Sequence, residues 1–278
     1  MSRAKVTAVI IAKNEELMLA ACLETLTWCD ELLLIDCAST DQTPVIADKY
    51  GARVIGFDHP SFAKIREKAL ESVNTDYLFY VDADERVTPA LAKEILVHLE
   101  NQDCQVMQMR RENICYGRKF AHGNWQNDQV IRIFHRDHIK GWQGEIHESP
   151  IYSGHVCLLN HQLLHLTHRS TKDNLFKSAN WTIKEASLIA AHPKTKKITF
   201  MTILRKGIME FYRRAFKFQG RKDGMAGLIE ALVQGINRML VYIQVWELQE
   251  KPSLEDRYHK EEMKIKKLWQ TEGSTVKL

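Results

Sequence analysis

The 278-residue sequence contains no G-x-G-x-x-G, no G-x-x-x-x-G-K-[ST] and no C-x-x-C pair. A nucleotide bound by this chain would therefore be held by carboxylates and metal, without a glycine cradle. Proline and glycine are scarce, at 6 and 13 residues, which excludes a collagen-like fibre. The six cysteines (Cys22, Cys29, Cys37, Cys104, Cys115, Cys157) are scattered, mostly in apolar surroundings where a thiol behaves as a small hydrophobe. That pattern excludes a disulfide mini-protein and predicts a reducing compartment. No stretch of about 18 uncharged apolar residues exists, so no transmembrane helix is expected; the most apolar long stretch, Met225 to Leu248, is broken by Glu230 and Arg238. The short apolar run Val6–Ala12 leads into Lys13-Asn14-Glu15-Glu16 with no small-residue cleavage site, which argues against a signal peptide.

What is present is an ordinary globular composition, 45% hydrophobic and 27% charged, with an uneven charge distribution. The formal net charge of +4 combines 21 basic and 25 acidic side chains in residues 1–192 with 18 basic and 10 acidic in 193–278. Residues 5–100 alternate short β-branched runs with helix-period segments. Strands are expected at Val6–Ala12, Leu32–Asp36, Arg53–Phe57 and Tyr77–Asp82, and helices near 16–27, 42–50, 62–73 and 89–100. Such βαβ series form parallel sheets that bind ligands beyond the carboxyl ends of their strands. Polar residues cluster where the runs stop: Lys13-Asn14-Glu15, Asp36 with Ser39-Thr40-Asp41, and Asp82-Ala83-Asp84. From 104 to 165 shorter strands follow (Val106–Arg110, Gln129–Phe134, Tyr152–Leu159), and from Thr171 the pattern is helical, broken near His192-Pro193 and Gly220–Gly227.

Asp82 and Asp84 flank one small residue at a strand end, a spacing that can hold a divalent cation while leaving positions open for phosphate oxygens; a solvated acidic loop is the alternative. Asp36 has the same placement and can accept a hydrogen bond from a base or a ribose. Ser39, Thr40 and Asp41 are better placed than Asp36 to cap the following helix. His165 lies on an otherwise apolar run and reads either as a structural histidine or as a ligand. Arg132 either reaches a substrate or forms the exposed side of an edge strand.

Four segments in order, Val9–Glu16, Asp36–Thr43, Arg66 within Phe62–Leu70, and Asp82–Arg86, resemble the family 2 glycosyltransferases of GT-A fold. The likeness is strongest to the bacterial branch typified by lipopolysaccharide core β-1,4-glucosyltransferases. It continues through Gln129–Phe134, Gly144–Glu148, His165–Ser170 and Phe200–Gly227. The resemblance implies an α/β fold, a Rossmann-like mixed sheet flanked by helices, with a C-terminal helical, basic amphipathic extension. It implies a GT-A catalytic domain over 1–170, with a nucleotide half (1–100) and an acceptor half (101–170), and a helical region over 171–278. It further implies that Ala12, Asn14, Glu15, Asp36, Ser39, Arg66, Asp82, Ala83, Asp84, Arg132 and His147 bind substrate. Asp82, Asp84 and His165 would hold Mg²⁺ or Mn²⁺, and Glu148, with Glu145 in reserve, would be the catalytic base. In an extended segment Glu145 and Glu148 point to opposite sides, so only one faces the donor. Two departures are Cys37-Ala38, where many relatives carry Asp-Gly, and Glu67, where Asn commonly follows the arginine.

Residues 194–222 hold ten basic side chains and one acid, Glu210, with Phe200, Ile203, Leu204, Ile208, Phe211, Tyr212 and Phe216 at helical spacing. This pattern fits an anionic membrane surface; a core-packed helix with a solvated basic face is the alternative. The acidic front half and the lack of any nucleic-acid module argue against nucleic acid. The expectation is a metal-dependent inverting hexosyltransferase that uses a nucleotide-sugar donor, a UDP-sugar by the resemblance, and a lipid-linked glycan acceptor. It would lie in the cytoplasm on the inner face of the membrane. The alternatives are transfer to a polyprenyl phosphate, a sugar nucleotidyltransferase, and a non-catalytic membrane-associated binding protein.

Overall fold

A computed structural model of the chain describes residues 3–144 and 149–272. The chain divides after Thr171 into two compact units. In the first, β1 (Val6–Ala12), β2 (Glu31–Asp36), β3 (Arg53–Gly56) and β4 (Tyr77–Val81) alternate with α1 (Glu16–Glu24), α2 (Thr43–Lys49) and α3 (Phe62–Ser72). After β4 come β5 (Glu85–Arg86), α4 (Pro89–Asn101), β6 (Val106–Cys115), β7 (Arg118–Lys119) and β8 (Gln129–His135). The unit closes with the hairpin β9 (Ile139–Gln143) and β10 (Ser149–Tyr152), then β11 (Val156–Leu158) and β12 (Leu163–Thr167).

The main sheet runs β3-β2-β1-β4-β8-β6-β12-β5. The first four strands are parallel, and β8 pairs antiparallel with both β4 and β6. This is the expected mixed sheet flanked by helices. Its inner strands are near-continuous apolar runs because both faces are covered. On one face Val6, Ala8, Ile10, Phe79 and Val81 pack with Leu19 and Leu23 of α1 and Leu91 and Ile95 of α4. On the other, Val9, Leu33, Ile35 and Tyr80 pack with Ile65 and Ala69 of α3 and with Trp142. Each fully buried aliphatic side chain here stabilises the unit by about 1.5–3 kcal/mol. Helix α4 shows how sharply local sequence sets an end: the Thr88 side chain accepts the Leu91 N–H, Pro89 starts the first turn, and Gln102 stops the helix at φ 52.

Three expectations need correction. Tyr152–Leu159 is two strands, because Gly154 turns the chain at φ 95 against the Gln105 side chain. The first helix ends at Glu24, and turns carry the chain on towards β2. The cysteines are not all free thiols: β11 lies beside β6, and this brings Cys157 and Cys104, 53 positions apart, into a disulfide. No sequence spacing marks such a pair, since strand pairing makes it.

The second unit contains α5 (Thr171–Ala191), α6 (Phe200–Tyr212), α7 (Gly224–Gln249) and α8 (Leu254–Glu272). Helices α6 and α7 cross at two glycines. A Cβ on Gly207 would overlap the Met239 side chain and stand 3.0 Å from the Gly235 carbonyl oxygen. Ala186, Ile198, Val241 and Val245 form a small core, and Arg238 pairs with Glu185 at 2.6 Å. Among the described residues, one stretch, Gly220–Gln249, is long and apolar enough to cross a membrane by length and composition. Helix α8 buries no residue.

Candidate active site

The carboxyl ends of β1 and β2 carry loops that hold one another. Asn14, at φ 56, donates its N–H to Ser39 Oγ at 2.9 Å and accepts the Thr40 N–H on Oδ1 at 2.7 Å. Glu15 N–H donates to Thr43 Oγ1 at 2.8 Å. Asp41 accepts the N–H groups of Thr43 at 2.9 Å and Glu16 at 3.1 Å, so it serves the starts of both α1 and α2. The helix-capping role expected of Ser39, Thr40 and Asp41 together thus falls to Asp41, and Ser39 and Thr40 bind Asn14. Asp36 accepts the Ser39 N–H at 3.2 Å, and buried Ala12 accepts the Cys37 N–H at 2.9 Å. Ala38 adopts φ 56, a left-handed conformation that a Cβ disfavours.

The acidic loop after β4 is built around buried arginines. Arg86 donates to the carbonyls of Ala83 (2.7 Å), Glu85 (2.6 Å) and Met18 (2.9 Å), fixing the turn from Asp82 to Glu85. Glu85 is fully buried. It accepts the Asp82 N–H at 3.0 Å and Arg132 Nη2 at 2.5 Å, with Arg111 Nη1 at 3.4 Å. Of the three acids in this loop, Glu85 points inward and serves the scaffold. Arg132 Nη2 also bonds to Asp82, and the Arg132 Nε–H, buried, has no partner among the described residues. Burial alone would raise the Asp82 pKa; the Arg132 and Arg66 guanidiniums outweigh it and hold the carboxyl below its ordinary range. Asp82 lies deep in a cleft, yet its side chain remains 43% exposed on the open side. Burial pushes Glu85 up, against the pull of Arg132.

Asp84 meets His165 through backbone pairing. Strand β12 runs antiparallel to β5, with His165 opposite Glu85, and Leu166 N–H donates to Asp84 O at 2.8 Å. His165 Nε2 then stands 3.6 Å from Asp84 Oδ2, with both side chains largely buried. Two ligands of one octahedral cation with bonds of about 2.1 Å lie about 3 Å apart, so this pair fits a shared cation after a small closure. Beside them a cavity of about 320 Å³ is lined by Arg66, Asp82, Arg132, Phe134, Trp142 and Pro150. Arg66 lies over the Tyr80 ring, 5.2 Å from its centroid. The two arginines and the orphaned Nε–H suit an anionic group such as a diphosphate.

The structure thus brings Arg66, Asp82, Ala83, Asp84, Arg132 and His165 together, with Ala12 and Asp36 ending β1 and β2 and Asn14, Glu15 and Ser39 on the loops that follow. Arg132 is a buried residue of an interior strand, which settles its location against an exposed edge. Glu145, His147 and Glu148 lie outside the described residues; Trp142 and Pro150, which pair across the β9–β10 hairpin on either side of them, line the cavity. Sequence reasoning passed over Arg111, Asn113 and Asp128. Arg111 and Asn113 alternate on β6 and both bond to Asp128, a polar pair on one face of a strand that the i, i+2 period could have marked.

A family model described as glycosyl transferase family 2 matches residues 7–166. The lipopolysaccharide core biosynthesis glycosyltransferase LpsC of Rhizobium meliloti is 25% identical over 269 residues, covering 90% of this chain and 96% of its own. Among solved structures, S. aureus TarS (residues 1–349) in complex with UDP-GlcNAc aligns at TM-score 0.46 and 13% identity, over 84% of this chain and 81% of its own. Glucosyl-3-phosphoglycerate synthase from Mycobacterium tuberculosis, in complex with Mn²⁺, UDP and glucosyl-3-phosphoglycerate, aligns at TM-score 0.35 and 21% identity, over 39% and 44% of the two chains.

Proposed function

The chain belongs to glycosyl transferase family 2, and from that premise we propose that it is a metal-dependent inverting transferase moving a hexose from a UDP-sugar to a lipid-linked glycan such as a lipopolysaccharide core. The observation that carries the metal and donor reading is the Asp84–His165 pair, 3.6 Å apart at the end of β4, beside a cavity lined by Arg66 and Arg132. Asp84 and His165 would hold Mg²⁺ or Mn²⁺, with Asp82 at the cavity wall. The cation would supply Lewis-acid neutralisation of the departing diphosphate. Arg66 and the Arg132 Nε–H bind phosphate oxygens. Asp36, at the end of β2, and Asn14, Glu15 and Ser39, on the loops after β1 and β2, border the nucleoside. The acceptor hydroxyl oxygen forms its bond to the anomeric carbon as the bond from that carbon to the diphosphate oxygen breaks. The leaving nucleotide keeps the electron pair, and Glu148 takes the hydroxyl proton. The acceptor reading is supported by the LpsC likeness along nearly its full length.

The second unit supports a place at the cytoplasmic face of an anionic membrane. Phe200, Met201, Ile208 and Tyr212 of α6 and Met225, Ile229 and Leu232 of α7 are exposed. They accompany the basic run 194–222, where each Lys or Arg near such a surface adds about 1 kcal/mol.

The deciding experiment measures nucleoside diphosphate release from UDP-hexoses with a purified lipid-linked core acceptor, with Mn²⁺ or Mg²⁺ and again in EDTA. Release that requires acceptor and metal is expected, with E148Q abolishing it. Turnover that persists in EDTA would sink the metal reading. Liposome flotation with anionic and neutral lipid tests the surface: equal failure with both removes the membrane claim.

A further inference from the structure

We propose that Asn113, held by Asp128 and Arg111, is a positioning residue that fixes the His165 ring in the tautomer whose Nε2 lone pair faces Asp84. The proposal rests on the metal reading above and names the part of the scaffold that prepares the site.

Strands β6 and β12 run parallel with Asn113 directly opposite His165, and His165 Nδ1 lies 2.6 Å from Asn113 Oδ1. The identity of each atom follows from its partners. The Asn113 Nδ2 group faces Asp128 Oδ2 at 2.9 Å and the Trp125 carbonyl at 3.4 Å, and both of these only accept. The amide nitrogen must therefore lie on that side, which leaves Oδ1 towards the histidine. An amide oxygen cannot donate, so Nδ1 carries the hydrogen. In the neutral ring Nε2 is then bare, and it is the atom that stands 3.6 Å from Asp84. The opposite tautomer would place an N–H where a cation is to be shared and two lone pairs face to face at Asn113.

Asn113 is itself held. Asp128 receives a two-point bond from Arg111, Nε and Nη2 each at 2.9 Å, and the Arg111 N–H donates to Asp128 O at 2.8 Å. Arg111 Nη1 reaches Glu85, one residue beyond Asp84. The chain of contacts starts at the acidic loop, passes through Arg111, Asp128, Asn113 and His165, and returns to that loop at Asp84. Asn113 is almost fully buried, so no water competes with His165 Nδ1 for its amide oxygen. An amide at this position relays the hydrogen bond without setting a second negative charge against Asp128. Partners that orient a ligating histidine in this way commonly govern metal affinity by about 10–100-fold.

The test is Mn²⁺ binding by calorimetry in the presence of UDP, together with the His165 tautomer in the metal-free, ¹⁵N-histidine-labelled protein by long-range ¹H–¹⁵N spectroscopy. Wild type is expected to show the Nδ1–H form. N113A is expected to lose that form and bind Mn²⁺ about 10–100-fold more weakly. H165A should lose a similar amount, and N113A/H165A no more than H165A alone. The exchange N113D/D128N keeps an acceptor for His165 and a donor–acceptor pair behind it, and should restore the tautomer and most of the affinity, which a loss of fold in N113A could not mimic. An Nε2–H form in wild type, additive losses in the double variant, or wild-type Mn²⁺ affinity in N113A would each overturn the proposal. If wild type transfers sugar unimpeded in EDTA, the metal reading falls first and this proposal with it. If wild type needs metal and N113A binds it normally, only this proposal falls.

Discussion

Replacing Arg132 with methionine tests the reading that the acidic loop is held in shape by a buried cation. Glu85 is 0% exposed, and its partners are Arg132 Nη2 at 2.5 Å, Arg111 at 3.4 Å and the Asp82 N–H. Arg132 also bonds to Asp82. Removing one partner from a buried ionic cluster leaves uncompensated charge and costs about 3–5 kcal/mol. With a urea slope of about 2 kcal/mol per molar, the unfolding midpoint should fall by about 2 M. Burial already pushes the Glu85 pKa up against the pull of Arg132, and without that pull it rises further. The folded variant then binds more protons than the unfolded chain, so its stability falls as pH rises, and the R132M deficit should be larger at pH 7 than at pH 5. Adding E85Q removes the stranded charge and should recover most of the loss at pH 7. The assay is urea unfolding followed by near-ultraviolet circular dichroism for R132M, E85Q and the double variant. A deficit under about 1 kcal/mol, or additive losses in the double variant, would refute the argument.

Glu94 supplies a second test: its oxygens accept both polar groups of Asn160 at 2.8 Å and of His161 at 2.9 and 2.7 Å. Burial opposes ionisation, but these donors prevail and lower its pKa from 4.5 to about 2. A depressed carboxyl stabilises the fold above its unfolded pKa and loses that contribution as pH falls through the folded one. The stability gap between wild type and E94Q, about 2–3 kcal/mol at pH 7, should therefore shrink between pH 4.5 and 2 in urea titrations; a constant gap contradicts the assignment. In the second unit, G207A is expected to destabilise the α6–α7 crossing by about 1–3 kcal/mol despite the better helix propensity of alanine. Faster proteolysis between 200 and 249 would register this, and unchanged resistance would contradict the close approach.

Residues 5–100 were legible because both faces of their parallel strands are covered. The apolar runs therefore stand out, and Asp36, Asp82 and Asp84 fall at their ends by position alone. The helical breaks at His192-Pro193 and Gly220 were equally plain. Strand β12 was not. Leu163–Thr167 reads as an apolar segment with one histidine, and only its pairing with β5 explains why His165 belongs beside Asp84. Arg132 was open between substrate contact and solvent, because a charged residue on a strand gives no sign of acids folded onto it from 47 and 50 positions away. The Cys104–Cys157 bond was hidden for the same reason. Local pattern writes the elements, whereas contacts across the sheet decide which side chains meet.

Strand β12 is the last strand of the first unit, inserted between β6 and β5. The loop after β4 is complete in sequence by residue 86, yet Asp84 gains His165 only when residues 163–167 dock. During synthesis, the loops after β1, β2 and β4 can form well before this partner has emerged. A nascent chain halted short of Leu163 thus carries the first half of the pair without the second. The fold therefore delays the completed pair until the whole first unit is in place, and partial chains are left without it.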